Sequence, residues 1–195
     1  QLFLGLFPRA FESLDLREFD VVLSITSAFA HGVRPAPGAR HVCYCLTPTR
    51  FIWNYDSYIE REGVGPLARL ALPPLIRSLR RWDRRAADRV SEFVAISRTV
   101  QRRIADYYQR ESGIIYPPVR TDYFDAHETP EDYYLVVSRL VPYKRIDLAV
   151  RAFTALGLPL RVIGEGRDRA ALEAMAGPTV TFLGYLSDDE VRRQM

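Results

Sequence analysis

The chain has 195 residues, enough for one or two domains with a real core. Its 48% hydrophobic and 26% charged residues place it among folded globular chains rather than disordered ones. A formal charge of +3 and a pI near 9.0 are mild; they suit an anionic substrate or an anionic membrane surface and demand neither. No apolar run approaches the roughly 20 residues that span a bilayer, and Gln1-Leu2-Phe3-Leu4 lacks the basic flank and cleavage site of a signal peptide.

In chain order, a short helical pattern over Phe7 to Leu16 precedes an apolar strand, Phe19 to Ile25, whose end is polar at Ser24, Thr26 and Ser27. Gly32, Pro35, Pro37 and Gly38 form a loop, and His41 to Cys45 is the next strand. Cys43 and Cys45 lie two apart on a strand and point the same way, which suits neither a disulfide nor, without a nearby His, a metal site. They read as buried free thiols in a reducing compartment, so the protein is expected to be cytoplasmic.

The aromatics Phe51, Trp53, Tyr55 and Tyr58 follow, and core packing claims most such clusters, with stacking on sugar or lipid as the other reading. Leu67 to Val90 is helical, with an interruption at Pro73-Pro74. Its Arg77, Arg80, Arg81, Arg84 and Arg85 make a basic stripe. Because Asp83, Asp88 and Glu92 interleave, a solvated, salt-bridged face competes with contact to anionic lipid. No nucleic-acid motif accompanies the stripe, and nucleic acid is not expected as a partner. Phe93 to Ile96 is a strand, Ser97 caps a helix from Arg98 to Tyr108, and Gly113 to Tyr116 is a short strand closed by Pro117-Pro118.

Residues 119–132 are polar and aperiodic and read as a linker between a domain at 1–118 and another at 133–195. Beyond it the order is regular: strand 133–138, helix 144–156, strand 160–164, helix 167–176, strand 179–183 and a capping box at Ser187 and Glu190. Such alternation predicts parallel, doubly wound sheets. The ending at Met195 inside a helical pattern, with no initial Met, reads as a piece of a longer protein.

All but one of the 27 Lys and Arg residues are arginine; the single lysine is Lys144. Arg139 and Lys144 flank the turn after the strand 133–138, at a strand's carboxyl end and a helix's mouth, where open α/β sheets bind ligands and phosphate is favoured. An ordinary surface cation is the competing reading. Gly164-Glu165-Gly166 opens the next βα turn and suits either phosphate approach or a tight turn. Gly184 ends the strand after that, where a flat base or a plain strand end would explain it.

S-R-L-V-P-Y-K-R-I-D-L-A-V, V-I-G-E-G and T-F-L-G-Y, with C-Y-C-L-T-P-T-R-F-I-W, F-V-A-I-S-R-T-V and I-I-Y-P-P-V-R-T-D-Y-F upstream, resemble family-4 retaining glycosyltransferases of the GT-B fold. The likeness is to the bacterial mannosyltransferase-like branch that builds surface polysaccharides. It implies two Rossmann-like domains, both incomplete here, the first taking mainly acceptor and the second mainly nucleotide-sugar. It implies that Arg139 and Lys144 hold the donor diphosphate, that Gly164, Glu165 and Gly166 lie against the donor, and that Gly184 and Tyr185 hold the base. Ser27, Leu46, Thr47, Ser97 and Arg98 become acceptor-side candidates.

Metal-independent retaining transfer of a hexose is implied, with GDP-mannose as donor and a lipid-linked saccharide as acceptor, no cofactor, and a peripheral place at the inner membrane face. Leu46 stands where that branch carries histidine, and leucine cannot hydrogen-bond a sugar, so a non-catalytic nucleotide-sugar binder is the alternative. His31 could substitute for that histidine, although a solvated loop histidine is the plainer reading; His41 and His127 read as structural or exposed. The family's E-x7-E loop would fall beyond Met195 and its first Gly-rich unit before Gln1, and the 195-residue piece alone is expected to be inactive.

Overall fold

The computed structural model describes residues 4–55, 66–124 and 130–195; Tyr58, His127 and Thr129 lie outside the described residues. The chain divides into two compact units, Gln1–Pro118 and Val119–Met195.

The first unit is built on four parallel strands in the order β1 (Val21–Thr26), β2 (Arg40–Cys45), β3 (Glu92–Ala95) and β4 (Ser112–Ile114). One face is covered by α3 (Pro66–Asp88) and α4 (Arg98–Tyr108), while α1 (Phe7–Glu12) and α2 (Arg50–Trp53) are short. Under α3 and α4 lie Cys43, Cys45, Ala87, Val90, Phe93, Ala95, Val100 and Ile104. Both cysteines are buried and free.

Pro73 and Pro74 sit inside α3 without ending it. Each interior proline costs about 3 kcal/mol. One turn on, Ile76 and Leu79 are buried against Phe29 and Ile52, and burial of such side chains contributes about 1.5–3 kcal/mol each. Tertiary packing therefore carries the helix past the break that local propensity predicts.

Strand β1 inverts the usual alternation. Its covered face carries Ser24 and Thr26, both buried, beside the half-buried Val22, while Val21, Leu23 and Ile25 on the other face are exposed. The hydroxyls have partners: Ser24 Oγ meets His41 Nε2 at 2.9 Å, and Thr26 Oγ1 accepts the Ala28 amide at 3.0 Å. A second buried polar group corrects two expectations. His31 is not solvated, and Asp83 is not part of a solvated helix face; both are fully buried, with His31 Nε2 3.3 Å from Asp83 Oδ1.

The arginine stripe is also largely engaged. Arg80 Nε donates to Ile52 O at 2.6 Å and Arg84 Nε to Tyr107 O at 3.0 Å. Both guanidinium groups lie over the Trp53 ring, at 5.7 and 5.0 Å. Arg77 and Arg81, one turn apart, remain on the exposed face.

The second unit has three parallel strands, β5 (Tyr134–Val137), β6 (Leu160–Ile163) and β7 (Val180–Gly184), in that order. Helices α5 (Ile146–Leu156), α6 (Arg169–Met175) and α7 (Asp188–Gln194) alternate with them. The core is Leu140, Ile146, Val150, Leu160, Val162 and Leu172. Tyr123, within the stretch read as a linker, and Tyr133, just after it, make contacts inside this unit. Tyr123 donates its hydroxyl to Asp189 at 2.6 Å, and Tyr133 donates to Gln194 O at 2.7 Å.

The buried histidines make a pH prediction. Burial, then the charges of His31 and Arg89, lower His41 from 6.5 to about 4. Burial lowers His31 too, but its hydrogen bond and charge interaction with Asp83 outweigh that and leave it raised. Below pH 6.5 the unfolded chain protonates His41 first, so stability falls as pH drops toward 4. Above 6.5 the folded chain keeps the His31 proton longer, so that contribution is lost as pH rises through the raised value. In urea unfolding at fixed pH, His41→Gln is expected to flatten the acid limb by up to about 3 kcal/mol relative to wild type. Parallel acid limbs in the two proteins would contradict this.

Candidate functional site

The carboxyl ends of β5, β6 and β7 carry three loops that the backbone binds into one body. Ser138 N–H donates to Ile163 O at 3.0 Å, Leu140 N–H to Glu165 O at 2.9 Å, and Gly164 N–H to Gly184 O at 2.7 Å. Asp168 N–H returns to Leu140 O at 3.1 Å.

The glycines make this lacing possible. A Cβ on Gly164 would stand 1.9 Å from Ser138 O, and its φ of +129° lies in the region that side chains avoid. A Cβ on Gly166 would stand 2.0 Å from Leu140 O. These two glycines are thus required by the neighbouring loop's carbonyls, and the Gly164 amide, already donated to Gly184, is not free for a phosphate. Gly184 has φ +73°, and Tyr185 beside it is 80% exposed. Glu165 is held by Arg169, which also binds Glu173 at 2.8 Å.

Arg139 and Lys144 stand on the first of these loops, both exposed. Lys144 closes a 3-10 turn, Pro142–Lys144, and helix α5 starts after Arg145 rather than at Lys144. Arg145 adopts the left-handed conformation (φ 53°) and pairs with Asp147 at 2.8 Å. Among the described residues Arg139 and Lys144 have no carboxylate partner; Lys144 Nζ has only the Tyr143 ring, at 5.7 Å. No side chain caps the start of α5, and of its first-turn amides Leu148 N–H already donates to Arg145 O at 3.2 Å. Two cations and an uncapped helix mouth can bind an anion with two or more phosphoryl groups.

The acceptor-side candidates lie at the carboxyl ends of the first unit's strands. Ser27 is exposed just past β1, and Leu46, 37% exposed, just past β2. Thr47 Oγ1 receives Arg103 Nη1 at 3.3 Å. Ser97 caps α4 by accepting the Val100 amide at 3.2 Å, which accounts for its hydroxyl locally. Arg98 is exposed in a first turn that has no acidic residue, the positive end of the helix.

Trp53 stacks on Tyr107 at 4.7 Å and donates its indole N–H to Asp83 at 2.6 Å, so it belongs to the packing. Sequence reasoning missed Asp83 as a site-organising residue because a charged residue amid arginines reads as surface. Tyr108, Thr49 and Trp53 all reaching that one carboxylate becomes visible only in three dimensions.

No protein-family model and no curated protein matches the sequence. Among solved structures, a crystal structure of TarM aligns with a TM-score of 0.59 at 16% identity, covering 95% of this chain and 37% of TarM. A second, a point mutant of S. aureus TarM in complex with fondaparinux, alpha-GlcNAc-glycerol and UDP, aligns with a TM-score of 0.43 at 19% identity, covering 56% of this chain and 24% of that one. The chain thus spans about 37% of TarM's length. The fold is mixed α/β with parallel Rossmann-like sheets of the GT-B type, and the likeness to TarM is one of fold.

The lacing yields a stability test. Gly166→Ala forces a methyl into a carbonyl already fixed by the Asp168 amide, and it is expected to cost more than about 3 kcal/mol in denaturant unfolding. Gly113→Ala, where nothing stands within 4 Å, is expected to stay within about 0.5 kcal/mol of wild type. Similar costs at the two positions would show that loop contact is not what requires Gly166.

Proposed function

We propose that the chain is part of a retaining glycosyltransferase that moves a hexose from a nucleotide-diphosphate sugar to a saccharide acceptor. The observation that carries this reading is the pair Arg139 and Lys144, left without carboxylates while Arg145, Arg161 and Arg169 in the same unit are engaged by Asp147, Gln194 and the pair Glu165 and Glu173. Bond breaking between the sugar's anomeric carbon and the phosphate oxygen builds negative charge on the diphosphate. Fixed cations stabilise that charge most in the transition state. Arg139 grips two oxygens and Lys144 acts as a point charge. The acceptor hydroxyl bonds to the anomeric carbon and gives its proton to the departing phosphate, which requires no metal and preserves configuration.

The finer reading is a family-4 enzyme of the mannosyltransferase-like branch, with GDP-mannose as donor and a lipid-linked saccharide as acceptor. In this reading the base rests on exposed Tyr185 and the backbone at Gly184. A cytoplasmic protein touching anionic membrane through Arg77 and Arg81 fits that acceptor. Among the described residues no helix is long and apolar enough to cross a membrane.

In the full-length protein, Arg139→Ala and Lys144→Ala are each expected to weaken GDP or UDP binding about 10–100-fold, the loss of one charge-assisted contact. Calorimetry with GDP, UDP and their sugar conjugates checks this, and cooperative melting at the wild-type temperature shows that the fold is intact. Undiminished affinity and turnover in both variants would reject the site.

A second reading rests on Leu46, an apolar side chain exposed at the end of β2. If the protein is a binder that has lost a histidine, Leu46→His should raise sugar transfer above a negligible native rate. Robust transfer by the native protein, unchanged by the substitution, rejects the binder.

A further inference from the structure

We propose that Asp83 and His31 form a buried positioning couple that holds the loops after β1 and β2, and with them Ser27, Leu46 and Thr47, in one arrangement. That these loops serve an acceptor rests on the function proposed above; the couple itself does not.

The geometry is convergent. Asp83 Oδ2 accepts the Trp53 indole N–H at 2.6 Å and the Tyr108 hydroxyl at 2.8 Å. Oδ1 faces Thr49 Oγ1 at 2.9 Å and His31 Nε2 at 3.3 Å. Four segments thus meet at one carboxylate: the 3-10 turn Ala30–Gly32 after β1, the stretch 49–53 after β2, α3 and α4. Asp83, Thr49 and His31 are all fully buried. The bonds of Ala28 to Thr26 and Thr49 join the two loops to each other, and Asp83 ties both to the helices.

Donors are scarce here. Thr49 has one hydroxyl proton and two acceptors at 2.9 Å, Asp83 Oδ1 and Ala28 O. His31 Nε2 is buried, makes no hydrogen bond of ordinary geometry and stands 3.3 Å from Oδ1, so what it offers the carboxylate is its charge when protonated. His31 is also the only cation within ion-pairing reach of Asp83 among the described residues. A buried carboxylate whose counter-ion is lost is strongly destabilised. Loss of the His31 proton therefore loosens the two loops.

The other titratable or charged groups around the couple are Tyr108 from α4, Cys43, Cys45 and His41 from β2, and Arg89 from just past α3, which donates to Gly32 O at 3.0 Å. Burial, then Asp83, push Tyr108 well up, and the bond to Cys43 followed by burial pushes Cys45 up. Of these, the Cys43 thiol is the one whose own titration could imitate that of His31.

The test is the Trp53 indole N–H resonance of the 15N-labelled chain between about pH 6 and 9, assigned with Trp53→Phe. In wild type that resonance and the amides of Ser27, Leu46 and Thr47 are expected to titrate together, while the amides of Arg139 and Gly164 stay fixed. His31→Asn is expected to abolish the transition and Cys43→Ala to leave its midpoint in place.

A static indole in wild type, loop amides that do not follow it, or a transition kept by His31→Asn overturns the proposal; so does loss of the transition in Cys43→Ala. Should His31→Asn not fold, Thr49→Val serves instead. Removing one donor makes Asp83 depend more on His31, so the midpoint should rise by about half a pH unit or more, and an unmoved midpoint overturns the proposal. No nucleotide or sugar enters these measurements, so failure of the couple and failure of the glycosyltransferase reading are separate results.

Discussion

Two backbone carbonyls, Ser138 O and Leu140 O, press into the space that Gly164 and Gly166 leave by having no side chains. The second unit's candidate site depends on that approach. Without it the first βα loop could not take the Glu165 carbonyl for Leu140 N–H or give the Leu140 carbonyl to Asp168 N–H. Arg139 and Lys144 would then hang from a free loop, and ordering long cationic side chains on a mobile backbone costs entropy that a bound anion must offset. The loops are ordered in advance by hydrogen bonds that no ligand supplies, so the cations are placed before a ligand arrives.

The same unit separates structural cations from available ones. Arg145, one residue after Lys144, folds back on Asp147, and Arg169 bridges Glu165 and Glu173 along α6. Exposed pairs of this kind contribute little stability. Their effect is more local: Asp147, the acidic residue of α5's first turn, is occupied by Arg145 and does not neutralise the helix mouth. The lone lysine, a compact point charge, and the guanidinium of Arg139 remain without a carboxylate beside a helix start that no side chain caps.

Much of this was legible in the residues. Alternating strands and helices beyond residue 133 came from periodicity, and the Ser187–Glu190 capping box and Ser97 cap are present as spacing implies. What the residues could not display were relations between segments distant in sequence. Gly164 and Gly166 read as candidate phosphate turns because the carbonyls that require them lie 26 residues earlier in each case. The helix through Pro73-Pro74 survives on contacts with Phe29 and Ile52 that no window around the prolines contains. His31 read as a solvated loop residue because its partner, Asp83, is 52 positions away in a run dominated by arginine.

That last case stands beside a second departure in the same unit, the polar covered face of β1. A strand with Ser24 and Thr26 turned inward, and His41 beside them, departs from the rule that the covered face is apolar. The helices over the neighbouring strands also bring in polar groups: Asp83 from α3 and the Tyr108 hydroxyl from α4. Burying one carboxylate is costly unless donors converge on it, and donors at sheet level require hydroxyl and imidazole side chains on the covered strands and loops. Thr49, Trp53, Tyr108 and His31 therefore form one system around Asp83, while Ser24 and His41 pair separately and Thr26 holds the Ala28 amide. The strand-end loops are thus tied together by one buried carboxylate and the donors that converge on it.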